Sequence, residues 1–268
     1  MKRTVQAGLL WVYRVVHATG FLSTQLGRTL FRVVYSRYKA LSEAAYVNLL
    51  RKYIAPGTVV IDVGAFVGFF SIRFAQWISA PGRVIAIEPE PQNSAHLRGA
   101  VVKAQLDHKV ECVQAAAADE SGELRLKLNA ACPVDHRLGS DGIPVASITI
   151  DGLLASRGWP PVSFIKIDVQ GAEAKVIAGA QRTLARFRPA LLVEVSDATL
   201  RSFGSSAEEL LATLVGMNYA IHRIGRQSIS QPVTVAEALE YQASEDYVDL
   251  LFLPEEGVSQ SLYRRQAA

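Results

Sequence analysis

The chain has 268 residues, of which 50% are hydrophobic and 20% are charged, so it can bury one sizeable core with appendages around it. Its two cysteines, Cys112 and Cys132, are too few for a disulfide framework and lack the close spacing of a metal-binding pair. The composition therefore favours a reduced, cytoplasmic compartment.

The net charge of +3 is unevenly distributed, because the first 53 residues hold nine lysines and arginines but only one acid, Glu43. Arg14 and His17 interrupt the first apolar run, which is therefore too short for a membrane-spanning helix. No small-residue cleavage motif follows, so a secretory signal is not expected. Two interpretations remain: a helical cap on the main domain, or an amphipathic segment, residues 1–40, in peripheral contact with the inner face of a membrane.

The rest of the chain alternates short apolar runs with helical patterns. A helix near 41–54 ends at the breaker cluster Ala55-Pro56-Gly57. Apolar runs then predict strands at 58–63, 83–87, 109–116, 123–128, 145–150, 162–167, 190–195, 218–223 and 247–253. Helical patterns lie near 67–77, 91–103, 171–185 and 206–216, and Asp151 is expected to cap a further short helix.

Two stretches lack a regular pattern. Residues 129–144 are rich in proline and glycine and are expected to form a loop. Residues 225–245 have no convincing helical pattern, so one of the last two strands is expected to run antiparallel to the others. The whole pattern predicts one domain, 55–256, which follows the basic helical segment 1–54 and precedes a tail, 257–268.

Strands that alternate with helices predict an α/β fold with a doubly wound, mostly parallel sheet and helices on both faces. In such sheets the ligand binds beyond the carboxyl ends of the strands, beside the turn after the first strand. Gly64 and Gly68 lie in that turn, where Gly64 lets the chain bend sharply and Gly68 lets the next helix begin close to the strand. The spacing differs from the dinucleotide motif G-x-G-x-x-G, because Phe66 and Phe69 occupy its later glycine positions.

Acidic residues end the first two predicted strands. Glu88 follows the second strand, where a carboxylate can accept hydrogen bonds from both hydroxyls of a ribose. Asp62 ends the first strand, where it can receive an ammonium group directly or through water. A ligand with an amino acid at one end and a ribose in the middle is S-adenosylmethionine, which is the predicted cofactor. The alternative is that both acids only cap helices at strand ends.

Six motifs follow one another between Thr58 and Asp197. They are IDVGAFVGFFS (61–71), IEPEPQNSAHL (87–97), QAAAADESGELRL (114–126), SITIDGLL (147–154), FIKIDVQGAEAKVIAGA (164–180) and LLVEVSD (191–197). Together and in this order they resemble the FkbM-type S-adenosylmethionine-dependent methyltransferases. The resemblance implies a Rossmann-like, seven-stranded class I methyltransferase sheet. The chain departs from the family's usual pattern at Phe66, which is usually Asn, and at Gln170, which is usually Glu.

Cofactor contacts are expected from the first turn and from the end of the second strand. The predicted residues are Asp62, Gly64, Ala65, Phe66, Gly68, Glu88 and Pro89, with Asp119 as a weaker candidate. The turn Asp119-Glu120-Ser121-Gly122 explains Asp119 equally well without a ligand. Because Phe66 has no polar side chain, binding of the methionine end must rely on backbone groups at that position.

Methyl transfer to a hydroxyl requires the protein to align the acceptor and to remove a proton. Asp168, at the end of a predicted central strand, is the first candidate for a base or an orienting group, and Glu173 and Glu194 are further catalytic candidates. Glu173 could equally favour a helix N-terminus. Glu194 would need a partner such as Lys166 if it is buried. His136, in the predicted loop, is a weaker candidate for the base.

The resemblance implies an O-methyltransferase that acts on a hydroxyl of a glycan, a glycolipid or another secondary metabolite. A divalent metal is not favoured, because Gln170 removes a carboxylate from the family's motif. Two alternatives remain: methylation of an amine in nucleic acid or protein, and a non-catalytic binding protein on the same fold. No Pro-Pro-aromatic sequence follows Asp168, so a nucleic-acid partner is not favoured. The oligomeric state cannot be read from the sequence.

Overall fold

The computed structural model describes residues 46–129, 136–139 and 141–255 of the protein. The expectations for residues 1–40, for part of the predicted loop 129–144 and for the tail 257–268 lie outside these residues. Residues 46–50 are helical, and a short 3-10 helix, Arg51–Tyr53, follows them, as expected for the end of the helix predicted near 41–54.

The described residues form eleven strands. They are β1 Val59–Val63, β2 Arg83–Ile87, β3 Val110–Val113, β4 Ala116–Ala117, β5 Gly122–Lys127, β6 Arg137–Gly139, β7 Ile143–Ile148, β8 Val162–Ile167, β9 Ala190–Val195, β10 Tyr219–Arg223 and β11 Val248–Pro254. Seven of them make the main sheet, in the order β10-β11-β9-β8-β1-β2-β3. All its neighbouring strands are parallel except β11, which runs antiparallel to β9 and β10. The predicted fold class and the reversed strand near the carboxyl end are confirmed.

Helices cover both faces of this sheet. They are α1 Phe69–Trp77, α2 Pro91–Lys103, α3 Ile150–Ala155, α4 Glu173–Ala178, α5 Gln181–Phe187, α6 Asp197–Ser202, α7 Ala207–Gly216 and α8 Val235–Ala243. Every residue of β1 is buried, and its side chains alternate between two apolar clusters: Ile61 and Val63 belong to one, Val60 to the other. Burial on both faces explains why the central strands read as continuous apolar runs.

A second, smaller sheet has the strand order β4-β7-β5-β6 and was not predicted. The strand expected at 109–116 ends earlier, at Val113, and Ala116–Ala117 pairs with β7 in the second sheet. Within the predicted loop 129–144, Arg137–Gly139 pairs antiparallel with β5. A small apolar cluster of Ala116, Leu126 and Val145 fills the inner face of this sheet. The sheet therefore adds a wall beside the main sheet.

Two expectations about helices need correction. The helix predicted over 171–185 is divided into α4 and α5. Asp151 does not cap the helix that contains it, because Thr149 is the N-cap of α3 and accepts the N–H of Gly152. The Asp151 carboxylate instead accepts the backbone N–H groups of Arg182 and Thr183, so it caps the first turn of α5.

The stretch 225–245 contains a regular helix, α8, where only weak helical character was expected. Thr234 and Glu237 form a capping box, in which each side chain accepts the backbone N–H of the other residue. Ala238 of this helix is fully buried in the main apolar cluster. Across the described residues, no helix combines the length and the apolar character that crossing a bilayer requires.

Candidate active site

A cleft opens where the carboxyl ends of β1, β2 and β8 meet, and it encloses roughly 950 Å³, part of it open to solvent. The main sheet and its turns contribute Gly64, Ala65, Phe66, Phe70, Glu88, Pro89, Asn93, Lys166, Asp168 and Gln170 to the wall. The second sheet contributes Ala116, Ala117, Leu126 and Leu138, with His136 beside them. The cleft therefore brings together residues that the sequence predicted from three separate strand ends.

The first turn is fixed by contacts that leave no room for a side chain at Gly64. The backbone of Gly64 is left-handed, with φ of 76°, and an added Cβ would lie 1.8 Å from the carbonyl oxygen of Asp168. The N–H groups of Gly64 and Ala65 both donate to the carbonyl oxygen of Ile87, each at 3.0 Å. The turn is thus tied to β2 on one side and to the end of β8 on the other.

Glu88 connects the first turn to the end of β2. Its Oε2 accepts the backbone N–H of Phe66 at 2.9 Å, and its Oε1 accepts the N–H of Glu90 at 3.0 Å. Phe66 itself has a left-handed backbone, with φ of 50°, which is uncommon for a bulky residue. The Glu88 side chain is buried, and this burial raises its pKa from 4.5 to about 7.

Asn93, in the first turn of α2, places a buried amide on the same part of the cleft wall. Its Nδ2 approaches Oε1 of Glu88 at 3.5 Å. Its Oδ1 is buried and receives no hydrogen bond from the described residues. Because a buried acceptor without a donor costs free energy, this oxygen suits a ligand that supplies a hydroxyl group. Asn93 was not predicted as a site residue.

Asp62 is not part of the cleft wall formed by the described residues, whereas its neighbour Lys166 is. Asp62 is fully buried, and its Oδ2 accepts the hydroxyl of Ser71 at 2.6 Å. The Nζ of Lys166 lies 3.7 Å from Oδ1 of Asp62 and 3.2 Å from Oδ2 of Asp168. The strand pairing explains this contact, because Asp62 and Lys166 are direct neighbours across β1 and β8. The sequence suggested Lys166 as a partner for Glu194, and its contacts with Asp62 and Asp168 were not predicted.

Gln170 joins the two acids that end β8 and β9. Its Nε2 donates to Oδ1 of Asp168 at 3.2 Å and to Oε1 of Glu194 at 2.9 Å. A neutral amide can donate to two carboxylates, whereas a glutamate at this position would bring a third negative charge to the same place. Asp168 is on the cleft wall, but Glu194 lies behind Gln170 and outside the wall.

Glu173 and Asp119 are also outside the wall formed by the described residues. Glu173 is buried, and its Oε1 accepts the backbone N–H groups of Val169 and Gly171, so it holds the turn after β8 in place. Burial raises the pKa of Glu173 to about 7. Asp119 is at the surface and forms an ion pair with Lys175 at 3.0 Å.

The other predicted residues are divided between the cleft and the scaffold. Gly68 is the N-cap of α1 and is outside the wall formed by the described residues. An added Cβ would lie 2.7 Å from Cδ1 of Leu97, so this glycine permits close packing against α2. His136 is on the cleft wall, and its Nδ1 accepts the backbone N–H of Asn129 at 3.1 Å. With Nδ1 occupied as an acceptor, a neutral His136 carries its proton on Nε2 and acts as a donor there.

The described residues offer no group of three or more His, Cys, Asp or Glu side chains that could hold a metal ion. The acids nearest to the cleft are already paired with donors, since Asp168 contacts Lys166 and Gln170.

The sequence was also compared with known proteins. The family model described as the methyltransferase FkbM domain matches residues 62–221, which include both the first turn and the ends of β8 and β9. Among solved structures, a methyltransferase FkbM from Methylobacillus flagellatus KT is 16% identical, with a TM-score of 0.47, and the match covers 75% of this chain and 44% of that one.

Two curated relatives are similar in sequence. One is the 31-O-demethyl-FK506 methyltransferase FkbM of Streptomyces tacrolimicus, which is 28% identical to this chain. The match covers 48% of this chain and 61% of that relative. The 2-O-methyltransferase NoeI of Sinorhizobium fredii (strain NBRC 101917 / NGR234) is 29% identical over 58% of this chain and 68% of its own length. The chain thus spans less than two thirds of the first relative and about two thirds of the second.

Proposed function

Because this chain belongs to the FkbM methyltransferase family, we propose that it transfers a methyl group from S-adenosylmethionine to a hydroxyl of a small molecule, a glycan or a lipid-linked glycan. The family supports the methyl donor. The names of the two relatives, which both describe O-methylation, support a hydroxyl as the acceptor. In this proposal the cleft holds the cofactor and the reacting group of the acceptor.

The observation that carries the proposal is a pair of buried acceptors, one at the end of β2 and one in the first turn of α2. Glu88 presents a buried carboxylate, and Asn93 presents a buried oxygen that lacks a donor among the described residues. A ribose supplies two neighbouring hydroxyl donors, and an acid at the end of the second strand is where nucleoside sites of this architecture bind them. We assign the ribose of the cofactor to Glu88 and Asn93.

The first turn suits the part of the cofactor that adjoins the ribose. Gly64, Ala65 and Phe66 line the cleft, and no side chain at Gly64 blocks access to the backbone. Pro89 follows Glu88 on the same wall. Apolar residues of the second sheet, such as Leu126 and Leu138, face this region from the other side and suit a planar base.

Asp168 is the residue best placed to act on the acceptor. When bound, S-adenosylmethionine supplies a methyl group on a positively charged sulfur, so the protein's own task is to align a hydroxyl and accept its proton. Hydrogen bonds from Lys166 and Gln170 fix the Asp168 carboxylate on the cleft wall. We assign the orientation and deprotonation of the acceptor to Asp168, with Glu194 and Glu173 as positioning residues behind it.

Isothermal titration calorimetry with S-adenosylmethionine and S-adenosylhomocysteine tests the cofactor site. The full chain should bind both. Glu88→Gln keeps the shape of the side chain but removes its charge, so it should weaken binding by about ten- to a hundredfold. Asn93→Leu should also weaken binding, by roughly three- to tenfold, because a single neutral acceptor is lost.

The matched control is Glu240→Gln, since Glu240 is exposed on α8 and is not part of the cleft wall. It should bind both ligands as the unmodified chain does. Unchanged affinity in a folded Glu88→Gln variant would contradict the ribose assignment. A wild-type chain that binds neither ligand at millimolar concentration would instead be a non-catalytic protein on this fold.

A further inference from the structure

We propose that Lys166 binds the carboxylate of the cofactor's amino-acid end, and that Asp62 positions Lys166 rather than contacting the cofactor. This inference rests on the proposed function, because it takes the cleft to be the site of S-adenosylmethionine. It changes the role that the sequence suggested for Asp62, which was to receive the ammonium group.

Lys166 is held in one position by contacts from three sides. Its Nζ lies 3.2 Å from Asp168, 3.7 Å from Asp62 and 4.8 Å from the centre of the Phe70 ring. Only 4% of Lys166 is exposed, yet the residue forms part of the cleft wall. A lysine normally loses much side-chain freedom when it binds a ligand, and here that freedom is already restricted.

The surroundings of Asp62 favour its ion pair with Lys166 over direct contact with a ligand ammonium group. Its two oxygens face Ser71 and Lys166, and the residue is fully buried. A second ammonium group would have to displace Lys166 or lie beside it, where like charges repel. The ligand group that fits next to Lys166 is therefore an anion.

The first turn of α1 adds a second attraction for an anion at the same place. Gly68, the N-cap, provides no side-chain hydrogen bond, and the first turn of this helix contains no acidic residue. The positive end of the helix dipole is therefore not balanced by an acidic side chain of that turn. Phe69 and Phe70 of this turn line the cleft, and the centre of the Phe70 ring is 4.8 Å from Nζ of Lys166, so the start of α1 lies close to the lysine.

The charges of the cluster also match the whole amino-acid end. Asp62, Lys166 and Asp168 together carry one more negative than positive charge when all three are ionised. The cofactor has the opposite balance, since its sulfonium and ammonium groups outnumber its carboxylate. The charge of this cluster therefore complements the net positive charge of the cofactor, and Lys166 and Asp168 both lie on the cleft wall.

Binding of decarboxylated S-adenosylmethionine tests the assignment, because this analogue lacks only the carboxylate. In calorimetric titrations of the full chain, S-adenosylmethionine should bind about ten- to a hundredfold more tightly than the analogue. Lys166→Met should lose this preference, because its affinity for S-adenosylmethionine should fall relative to its affinity for the analogue. Comparing both ligands with both proteins isolates the contact between the lysine and the carboxylate.

Lys103→Met is the control variant, since Lys103 is exposed at the end of α2 and should leave the preference intact. Lys166→Met could unfold because it leaves two acids close together, so Asp62→Asn/Lys166→Met, with one acid fewer, is tested beside it. If the unmodified chain binds both ligands equally, or if Lys166→Met keeps the preference, the inference is wrong. If the unmodified chain binds neither, the proposed function fails, and the inference fails with it.

Discussion

Two buried glutamates, Glu88 and Glu173, have pKa values raised to the same level, but their surroundings differ. Burial raises the pKa values of Glu88 and Glu173 to about 7, against 4.5 for an ordinary glutamate. Between these values the folded protein binds more protons than the unfolded chain, so each residue lowers the free energy of unfolding as the pH rises from 4.5 to about 7. Glu88 is on the cleft wall, whereas Glu173 holds the turn after β8 from behind.

Because only Glu88 lines the cleft, we expect ligand binding to change its protonation and not that of Glu173. Ribose hydroxyls that donate to Glu88 favour its ionised form, so binding should lower the pKa of Glu88 and release protons at pH about 6.5. Titrations with S-adenosylhomocysteine at this pH, in two buffers with different ionisation enthalpies, measure the number released. Glu88→Gln should release fewer protons, and Glu173→Gln should release as many as the unmodified chain. Equal release by the unmodified chain and Glu88→Gln would place the ribose elsewhere.

Among the elements, the junction of β1, α1 and β8 leaves no room for a side chain at Gly64. A Cβ at Gly64 would meet the Asp168 carbonyl oxygen at 1.8 Å, and the backbone there is left-handed. Gly64→Ala should therefore destabilise the protein by about 1–3 kcal/mol from crowding and roughly 1–2 kcal/mol from the backbone conformation. Because the same turn lines the cleft, binding of S-adenosylhomocysteine should weaken as well.

Gly99→Ala provides the comparison for this prediction. Gly99 lies within α2, and an added Cβ there has no neighbour within 4 Å among the described residues. Alanine favours the helix, so this variant should gain about 0.5–1 kcal/mol. Urea denaturation of the two variants measures both changes. A Gly64→Ala variant as stable as the unmodified chain would show that the junction can rearrange.

The strands and helices that the sequence predicted correctly are those whose hydrophobic pattern lies within the element itself. The strands 83–87, 162–167 and 190–195 were predicted with their observed bounds, because burial on both faces makes them continuous apolar runs. The second sheet was missed because Ala116–Ala117 is too short to show a period and pairs with β7, about thirty residues later. The helix α8 was missed although Thr234 and Glu237 carry a capping-box signal.

Some residues of the candidate site could also be predicted from local sequence, whereas others depend on how the strands pair. Chain order was enough to place Glu88 and Asp168 at strand ends beside the first turn, and both line the cleft. The contact between Asp62 and Lys166 depends on the register of β1 against β8, which no local pattern contains. A lysine inside the apolar strand Val162–Ile167 was the available signal, because a buried charge needs a partner.

At the scale of the whole molecule, the helix before β1 is part of the folded core. Val47 and Leu50 are buried in the apolar cluster that includes Phe74. The hydroxyl of Tyr46 donates to Oδ2 of Asp249 on β11 at 2.9 Å. The contacts of residues 46–50 therefore connect this helix with the main sheet, and they set a limit for any shortened form of the protein.

Two truncations test this limit. A chain that begins at Leu41 keeps all the described contacts and the complete cleft, so it should bind S-adenosylhomocysteine with the affinity of the full chain. A chain that begins at Lys52 lacks Tyr46, Val47 and Leu50, and loss of the buried leucine alone should cost about 2–5 kcal/mol. Urea denaturation and calorimetry of both forms measure these effects. A folded Leu41 form that does not bind the ligand would show that the removed residues contribute to the site.

The same pair of proteins, the full chain and the Leu41 form, separates the two interpretations of residues 1–40. The interpretation of this segment as a membrane contact predicts binding to anionic lipid, because apolar residues and an excess of basic charge occur together in it, and such segments bind membranes through both. The full chain should therefore sediment with vesicles of anionic lipid and less with neutral ones, and added salt should weaken the binding. The Leu41 form should stay in the supernatant with both. Equal sedimentation of the full chain with anionic and neutral vesicles would favour a helical cap on the main domain, and sedimentation of the Leu41 form would move the contact into the domain itself.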